Sequence, residues 1–275
     1  MTRTFVLAMA LCAFVTVTAR ADDAPKPDGG TDEAIEVVGL GTINWTAGLV
    51  TAVGSGAPPL NAVGTTQARA MAVRAAFAEA TRNLLETVKD IRVDSATLVE
   101  NHLVKSDVVK TRVTGLVKGA QILKTDMHPD GSVEITVGLS LRGELTDAML
   151  PAAFGRRFAA AVSTAGPGVA PLVPPPPGVL IDARGLGVKP ALMPRFMDED
   201  GNELYPRQLV ARANAVEDGV VGYTRDASAA ARRSGNDPIV IKAVRTSGSQ
   251  TSDLVLSQDA AKALQPGARV IVLFD

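Results

Sequence analysis

The stretch TTQARAMAVRAAFAEATRNLLETVKDIRVDS, Thr65 to Ser95, is the most strongly patterned part of this 275-residue chain. Its larger apolar residues are Val73, Phe77, Leu84, Val88 and Ile91, with Ala80 in the gap, at spacings of 4, 3, 4, 4 and 3. That rhythm follows the 3.6-residue turn of a helix and draws one apolar stripe along it. The spacing predicts a helix of roughly 24 residues, about 36 Å long, with Thr65 or Thr66 as its N-cap. Burial of the five large side chains would contribute roughly 8 to 15 kcal/mol before opposing terms. Phe77→Asp is therefore expected to unfold the domain that holds this helix.

The charges of the same stretch fall on its other side. Arg82 and Glu86 are four apart, and Glu79–Arg82 and Glu86–Lys89 are three apart. Opposite signs at these separations meet along a helix and describe a solvated face. Arg69 and Arg74 have no acid four residues on, which makes them the candidates for contact with a partner.

Upstream, Ala34 to Gly56 alternates weakly and is interrupted at Thr46-Ala47-Gly48, which predicts two strands joined by a short turn with Trp45 over one end of the core. APPLNAVG, residues 57–64, reads as a loop. Downstream, VDSATLVENHL predicts an extended piece and a turn of helix. Val113 to Met127 and Ser132 to Leu141 then read as two strands around the turn HPDGS, where Pro129 and Gly131 stand at turn positions. A short second helix follows near Pro151. The fold class expected is α+β: an N-terminal domain over residues 34–162 with a long helix packed on an antiparallel sheet.

Residues 163–178, STAGPGVAPLVPPPPG, carry six prolines and three glycines, and four consecutive prolines make an extended spacer that enters neither helix nor central strand. Beyond this Pro-rich linker, residues 179–275 read as a second, mixed α/β domain. It opens with a strand at Val179 to Ile181 and a hairpin around Asp200-Gly201-Asn202. Later strands are expected at Pro238 to Val244, Leu254 to Leu256 and Arg269 to Phe274. Helices are expected near Asp226 to Arg233 and Ser257 to Leu264.

The first residues, MTRTFVLAMALCAFVTVTARADD, combine a cation at Arg3, a thirteen-residue apolar run from Phe5 to Val17 and Ala19-Arg20-Ala21. These are the parts of a secretory signal, expected at residues 1–21 with cleavage after Ala21. The apolar run is too short for a permanent membrane span. Residues 22–33 are acidic and rich in Pro and Gly, with little to bury, and read as a disordered lead-in. Cys12 is the chain's one cysteine, so the mature chain is expected to hold no disulfide, thiolate nucleophile or cysteine metal site. Cys12 follows Leu11 in mid-run, without the small residue that precedes a lipid-acceptor cysteine. Loss of Arg3 and Arg20 from 28 basic residues leaves 26 against 29 acidic ones, a net charge of −3. Nucleic acid is not an expected partner at that balance.

The candidate chemistry is thin. DEDGNE, Asp198 to Glu203, gathers carboxylates, but its glycine stands at position four and Leu209 at position twelve, off the calcium-loop pattern. It reads as a hairpin tip. The pairs GLG at Gly39, GSG at Gly54 and ARGLG at Ala183 to Gly187 lack the following helix of a dinucleotide site, and each reads as a turn or bulge. His102 and His128 lie in no nucleophile or metal spacing. No catalytic residue, cofactor or metal is assigned. Arg184 and Gly185, on the glycine turn after the strand at Val179, form a second candidate contact, for a small ligand or a polysaccharide.

The order of hairpin, ARAMAVRAAFAEATRNLLETVKDIRVDS, ENHLVKSDVVKTRVTGLVKGAQILKT and DGSVEITVGLSL resembles the envelope family that joins the twenty-kilodalton bacterial lipoproteins to the N-terminal domain of flagellar assembly protein T. The likeness spans Ile35 to Leu141. It implies an α+β domain, periplasmic or peripheral to the outer membrane, without enzymatic activity, used in assembling or lining envelope structures, flagella among them. The chain departs from that family in lacking a lipid-acceptor cysteine and in its second domain. The resulting expectation is a non-enzymatic exported protein that mediates contacts with envelope proteins or a second copy of itself. The alternative is a periplasmic small-ligand or polysaccharide-binding module.

Overall fold

A computed structural model describes residues 33–155, 176–206, 209–235 and 237–275. The expected signal segment, nearly all of the lead-in and most of the Pro-rich linker lie outside those residues.

The long helix α1 spans Thr66–Lys89, 24 residues, and the Thr65 side chain accepts the Ala68 N–H as its N-cap. Its buried face differs from the expected stripe. Ala68, Ala72, Ala76, Ala80, Leu84 and Val88 are buried at four-residue steps, whereas Val73 and Phe77 are only partly covered. The reason lies in the strand beneath. A Cβ on Gly54 would stand 2.1 Å from the Ala80 nitrogen, and one on Gly56 would stand 2.1 Å from the Ala72 carbonyl oxygen. Helix backbone thus rests on strand backbone, and only alanine fits between them. GSG is therefore part of a strand where two backbones meet, not the turn or bulge expected from its sequence.

Five strands make the N-terminal sheet: β1 (Ile35–Val38), β2 (Gly41–Asn44), β3 (Leu49–Gly56), β4 (Gln121–Met127) and β5 (Val133–Ser140), in spatial order β1-β2-β3-β5-β4. All neighbours are antiparallel. The segment expected to hold two strands holds three, because Gly39 (φ +56°) makes an extra turn after Val38. The turn at Thr46 to Gly48 stands as expected, and so does the one at HPDGS, where the His128 N–H donates to the Ser132 carbonyl at 2.9 Å. Strand β3 outruns β2, whose last partner pair is Gly41 with Ala52. Side chains of α1 serve the uncovered backbone: Asn83 Nδ2 donates to the Val53 carbonyl at 2.7 Å and the Ser55 N–H donates to Glu79.

Two helices occupy the stretch between α1 and the hairpin, α2 (Val99–Lys105) and α3 (Asp107–Lys118). The strand expected from Val113 thus begins only at Gln121. Val113 and Val117 are buried four residues apart on a helix capped by the Ser106 hydroxyl, and that period outweighs the apparent alternation. Helix α4 (Glu144–Met149) ends before Pro151.

The second domain is a seven-stranded mixed sheet. Its strands are β6 (Val179–Asp182), β7 (Phe196–Met197), β8 (Glu203–Tyr205), β9 (Gly222–Thr224), β10 (Ile239–Ser247), β11 (Asp253–Leu256) and β12 (Val270–Leu273). The order is β8-β7-β11-β10-β6-β12-β9, with β10, β6, β12 and β9 mutually parallel. Strands β6 and β12 are buried throughout except for Asp182, as the inner strands of a parallel layer are. Helices α5 (Arg212–Glu217), α6 (Ala227–Ser234) and α7 (Gln258–Ala261) complete it. Asp226 caps α6 through the N–H groups of Ser228 and Ala229, and Ser257 caps α7. α5 and β9 are additions to the expected set.

The two domains share one cluster of buried apolar residues that runs from Ala34 to Phe274. After α1 the chain runs against the second domain. Arg92 and Val93 carbonyls accept from the Leu192 and Met193 N–H groups at 2.9 and 2.7 Å. Trp45 therefore covers a seam and not an end: its ring meets Tyr223 edge-on at 5.9 Å, and Tyr223 meets Phe274 at 6.1 Å.

Candidate functional site

The charged residues singled out above are placed on separate parts of the molecule. Arg69 and Arg74 are both exposed on α1, but five residues at 3.6 per turn set them roughly 140° apart. Their side chains leave the helix in different directions. Arg184 is held by Asp182, which accepts its Nε at 2.9 Å and its Nη2 at 2.7 Å. The hydrogen bond to Arg184, together with its charge, keeps the Asp182 carboxyl below its ordinary value against the opposing effect of burial. The Gly185 N–H donates to the Asp275 carboxylate. The turn after β6 is thus closed by this chain's own acids.

The carboxylates of DEDGNE make a β7–β8 hairpin tip, with Asp198 accepting both the backbone and side-chain N–H groups of Asn202 at 2.7 and 2.8 Å. No cluster of three or more metal-ligating side chains occurs among the described residues. None of their helices is long and apolar enough to cross a membrane.

Sequence reasoning missed the polar residues that join the domains. Arg92 donates Nε to the Pro190 carbonyl at 2.7 Å, grips Glu36 with both terminal nitrogens, and lies 5.8 Å over the Trp45 ring. Burial acts to raise the Glu36 pKa, but the Arg92 hydrogen bond and charge and the Trp45 N–H outweigh it, and the carboxyl titrates below its ordinary 4.5. Asp147 accepts from Arg112 at 2.8 Å and from Arg212 at 2.7 Å, which lowers its pKa in turn. Asp253, fully buried, takes the Arg195 side chain and the Ser95 hydroxyl. None of these pairings is visible in the sequence, because each acid is 35 to 65 residues from its arginine. Arg92, Arg195 and Arg212, each with its acid, make these pairs a joint between the domains.

A small pocket of about 230 Å³ opens beside this joint, between Glu36, Trp45 and Arg92 of the first domain and Lys189, Arg225 and Asp275 of the second. It lies at the carboxyl ends of β6, β12 and β9, the end of a parallel sheet where ligands bind. Its volume is below that of ordinary small-molecule sites, about 300 Å³ upward.

The free surface of interest is on the N-terminal sheet. Strand β4 is an edge, paired with β5 alone, and nearly every residue in it is exposed, Ile122, Leu123 and Met127 included. A register shift at Leu123 and the Lys124–Asp126 ion pair (2.8 Å) modulate that edge. At the other edge β1 exposes Ile35 and Val37, and the turn beyond exposes Leu40. Unpaired strand edges offer a ladder of N–H and C=O groups to another chain.

Residues 178–272 match a family model described as the second domain of Treponema pallidum Tp0624. The match starts one residue before β6 and ends within β12, so it takes in the whole second sheet, about a third of the chain. No curated protein matches the chain.

Proposed function

We propose that this chain is a non-enzymatic exported protein that mediates protein contacts or assembly in the periplasm or at the outer membrane. The observation that supports this most directly is where large aliphatic side chains meet solvent. Of fourteen such residues among those described, twelve belong to the N-terminal domain, so the contact surface is assigned there and not to the second sheet. Ile35, Val37, Leu40, Ile122, Leu123 and Met127 sit on or beside its two open edges. Exposed apolar groups on an unpaired strand suit a protein partner that extends the sheet.

The resemblance of Ile35 to Leu141 to envelope-assembly domains points the same way, as does the signal-like start of the chain. The partner is an envelope protein or a second copy of this chain. The joint described above would hold the second domain at a fixed angle to that contact surface.

The test is a double substitution, Ile122→Lys with Met127→Lys. Both side chains are more than half exposed (52% and 59%), so the melting curve should barely change. Sedimentation of solubilised envelopes should show the wild-type chain in a larger assembly and the variant released from it. An assembly unaffected by the two charges, or a purified protein that turns over a defined substrate, would refute the reading.

A further inference from the structure

At the amino ends of β6, β9 and β12 a cleft of about 860 Å³ opens between the domains' edges. Four arginines line it, Arg142, Arg232, Arg233 and Arg269, against two acids, Asp218 and Asp237. The chain as a whole has a formal net charge of −1, so this is a local concentration of positive charge. It is neutralised loosely: Arg269 approaches Asp218 only to 3.4 Å, with both side chains well exposed, and Arg232 approaches Asp226, which is not among the cleft's lining residues, only to 3.7 Å.

Two of the guanidinium groups converge. Arg233 donates to the Thr46 carbonyl at 3.4 Å and to the Tyr223 carbonyl at 3.2 Å. Arg142 lies against the same turn, where a Cβ on Gly48 would stand 3.1 Å from its Nε. No acid pairs with Arg142 or Arg233 among the described residues. Burial disfavours the charged form of Arg233, and the charges of Arg142 and Arg269 disfavour it further. Two arginines held against one turn without a counter-ion cost free energy that an arriving anion would recover. The rest of the lining includes Tyr205, Val220, Val270 and Ile271, an apolar floor beside the cationic wall.

We propose that this cleft binds a small organic phosphate, with Arg142 and Arg233 holding the phosphoryl oxygens, Arg269 at the mouth and the organic part over Val220 and Val270. The guanidinium fork matches phosphate oxygens two at a time, and the volume falls in the range of small-molecule sites, about 300 to 1,000 Å³. The site lies at the opposite end of the parallel strands from Arg184 and Gly185. It is independent of the edge-strand contact, so either can fail alone.

Titration calorimetry of the full chain at low ionic strength tests it, with glucose 1-phosphate as probe and glucose as its neutral counterpart. Saturable binding of the phosphate ester alone is expected. Arg142→Gln should weaken it about tenfold or more, and Arg269→Gln, a change at an exposed side chain that leaves the fold intact, should weaken it several-fold. Arg69→Gln on α1 should leave it unchanged. No saturable heat with the wild type, or equal losses in all three variants, would overturn the site. Binding to phosphatidylglycerol vesicles that Arg142→Gln abolishes, without any response to glucose 1-phosphate, would move the ligand to a lipid headgroup and overturn the assignment of a free small molecule.

Discussion

Arg92 shows how one side chain can hold two domains. It is 8% exposed and satisfies the Pro190 carbonyl, the Glu36 carboxylate and the Trp45 ring at once. Loss of a surface ion pair costs about 0 to 1 kcal/mol and loss of a fully buried one about 3 to 5. Glu36 is partly covered, so Arg92→Met should cost about 2 to 3 kcal/mol at pH 7 on that scale. The pH dependence identifies the cause. The Glu36 pKa is depressed in the folded chain, so its contribution is complete above the unfolded value and disappears as pH falls through the lower folded value. Without Arg92, burial and the remaining partners leave the carboxyl near or above its ordinary value, and acid no longer removes a favourable pair. The gap in melting temperature between wild type and Arg92→Met should therefore narrow from pH 7 to pH 3. A gap that stays constant would mean that Arg92 acts through packing alone.

At the level of elements, α1 was legible in its length and cap but not in its contact face. The search for large apolar residues finds Leu84, Val88 and Ile91, all fully buried, and misplaces the face at Val73 and Phe77. Alanine is uninformative in a sequence because it suits both exposed and buried helix positions. Its meaning at Ala72, Ala76 and Ala80 comes from Gly54 and Gly56, which are far away in the chain. The consequence reverses the expected order of mutational damage. Gly54→Ala drives a methyl group into the backbone of Ala76 and Ala80 and should cost at least the roughly 1 to 3 kcal/mol typical of overpacking. Phe77→Asp, at a partly covered position, should cost less and leave the domain folded. Paired denaturant melts would decide between the two rankings. Helix α3 was hidden for a related reason, since a short apolar run such as Val113 to Val117 fits either period until a capping serine is set beside it.

For the whole molecule, both domain classes were visible in the sequence because turn residues and apolar runs are local signals. The hairpin at HPDGS and the strand at Val179 came from such signals. The seam was invisible, because Glu36 and Arg92, or Asp147 and Arg212, are brought together only by the fold. The lack of an acid four residues on marks Arg69 and Arg74 in the sequence, but it does not tell which way a helix face points. The cleft arginines escaped for the converse reason: Arg142 and Arg233 are unremarkable in sequence and meet only across the domain boundary. The apolar edges β1 and β4 stand at opposite ends of the first sheet, and the proposed role in protein contact rests on them. The most direct measurement places a photoreactive residue at position 123 or 127 on β4, or at exposed position 82 on α1, and irradiates intact cells. The account predicts discrete protein adducts from both β4 positions and none from position 82. Silence from β4, or the same adducts from all three positions, would contradict it.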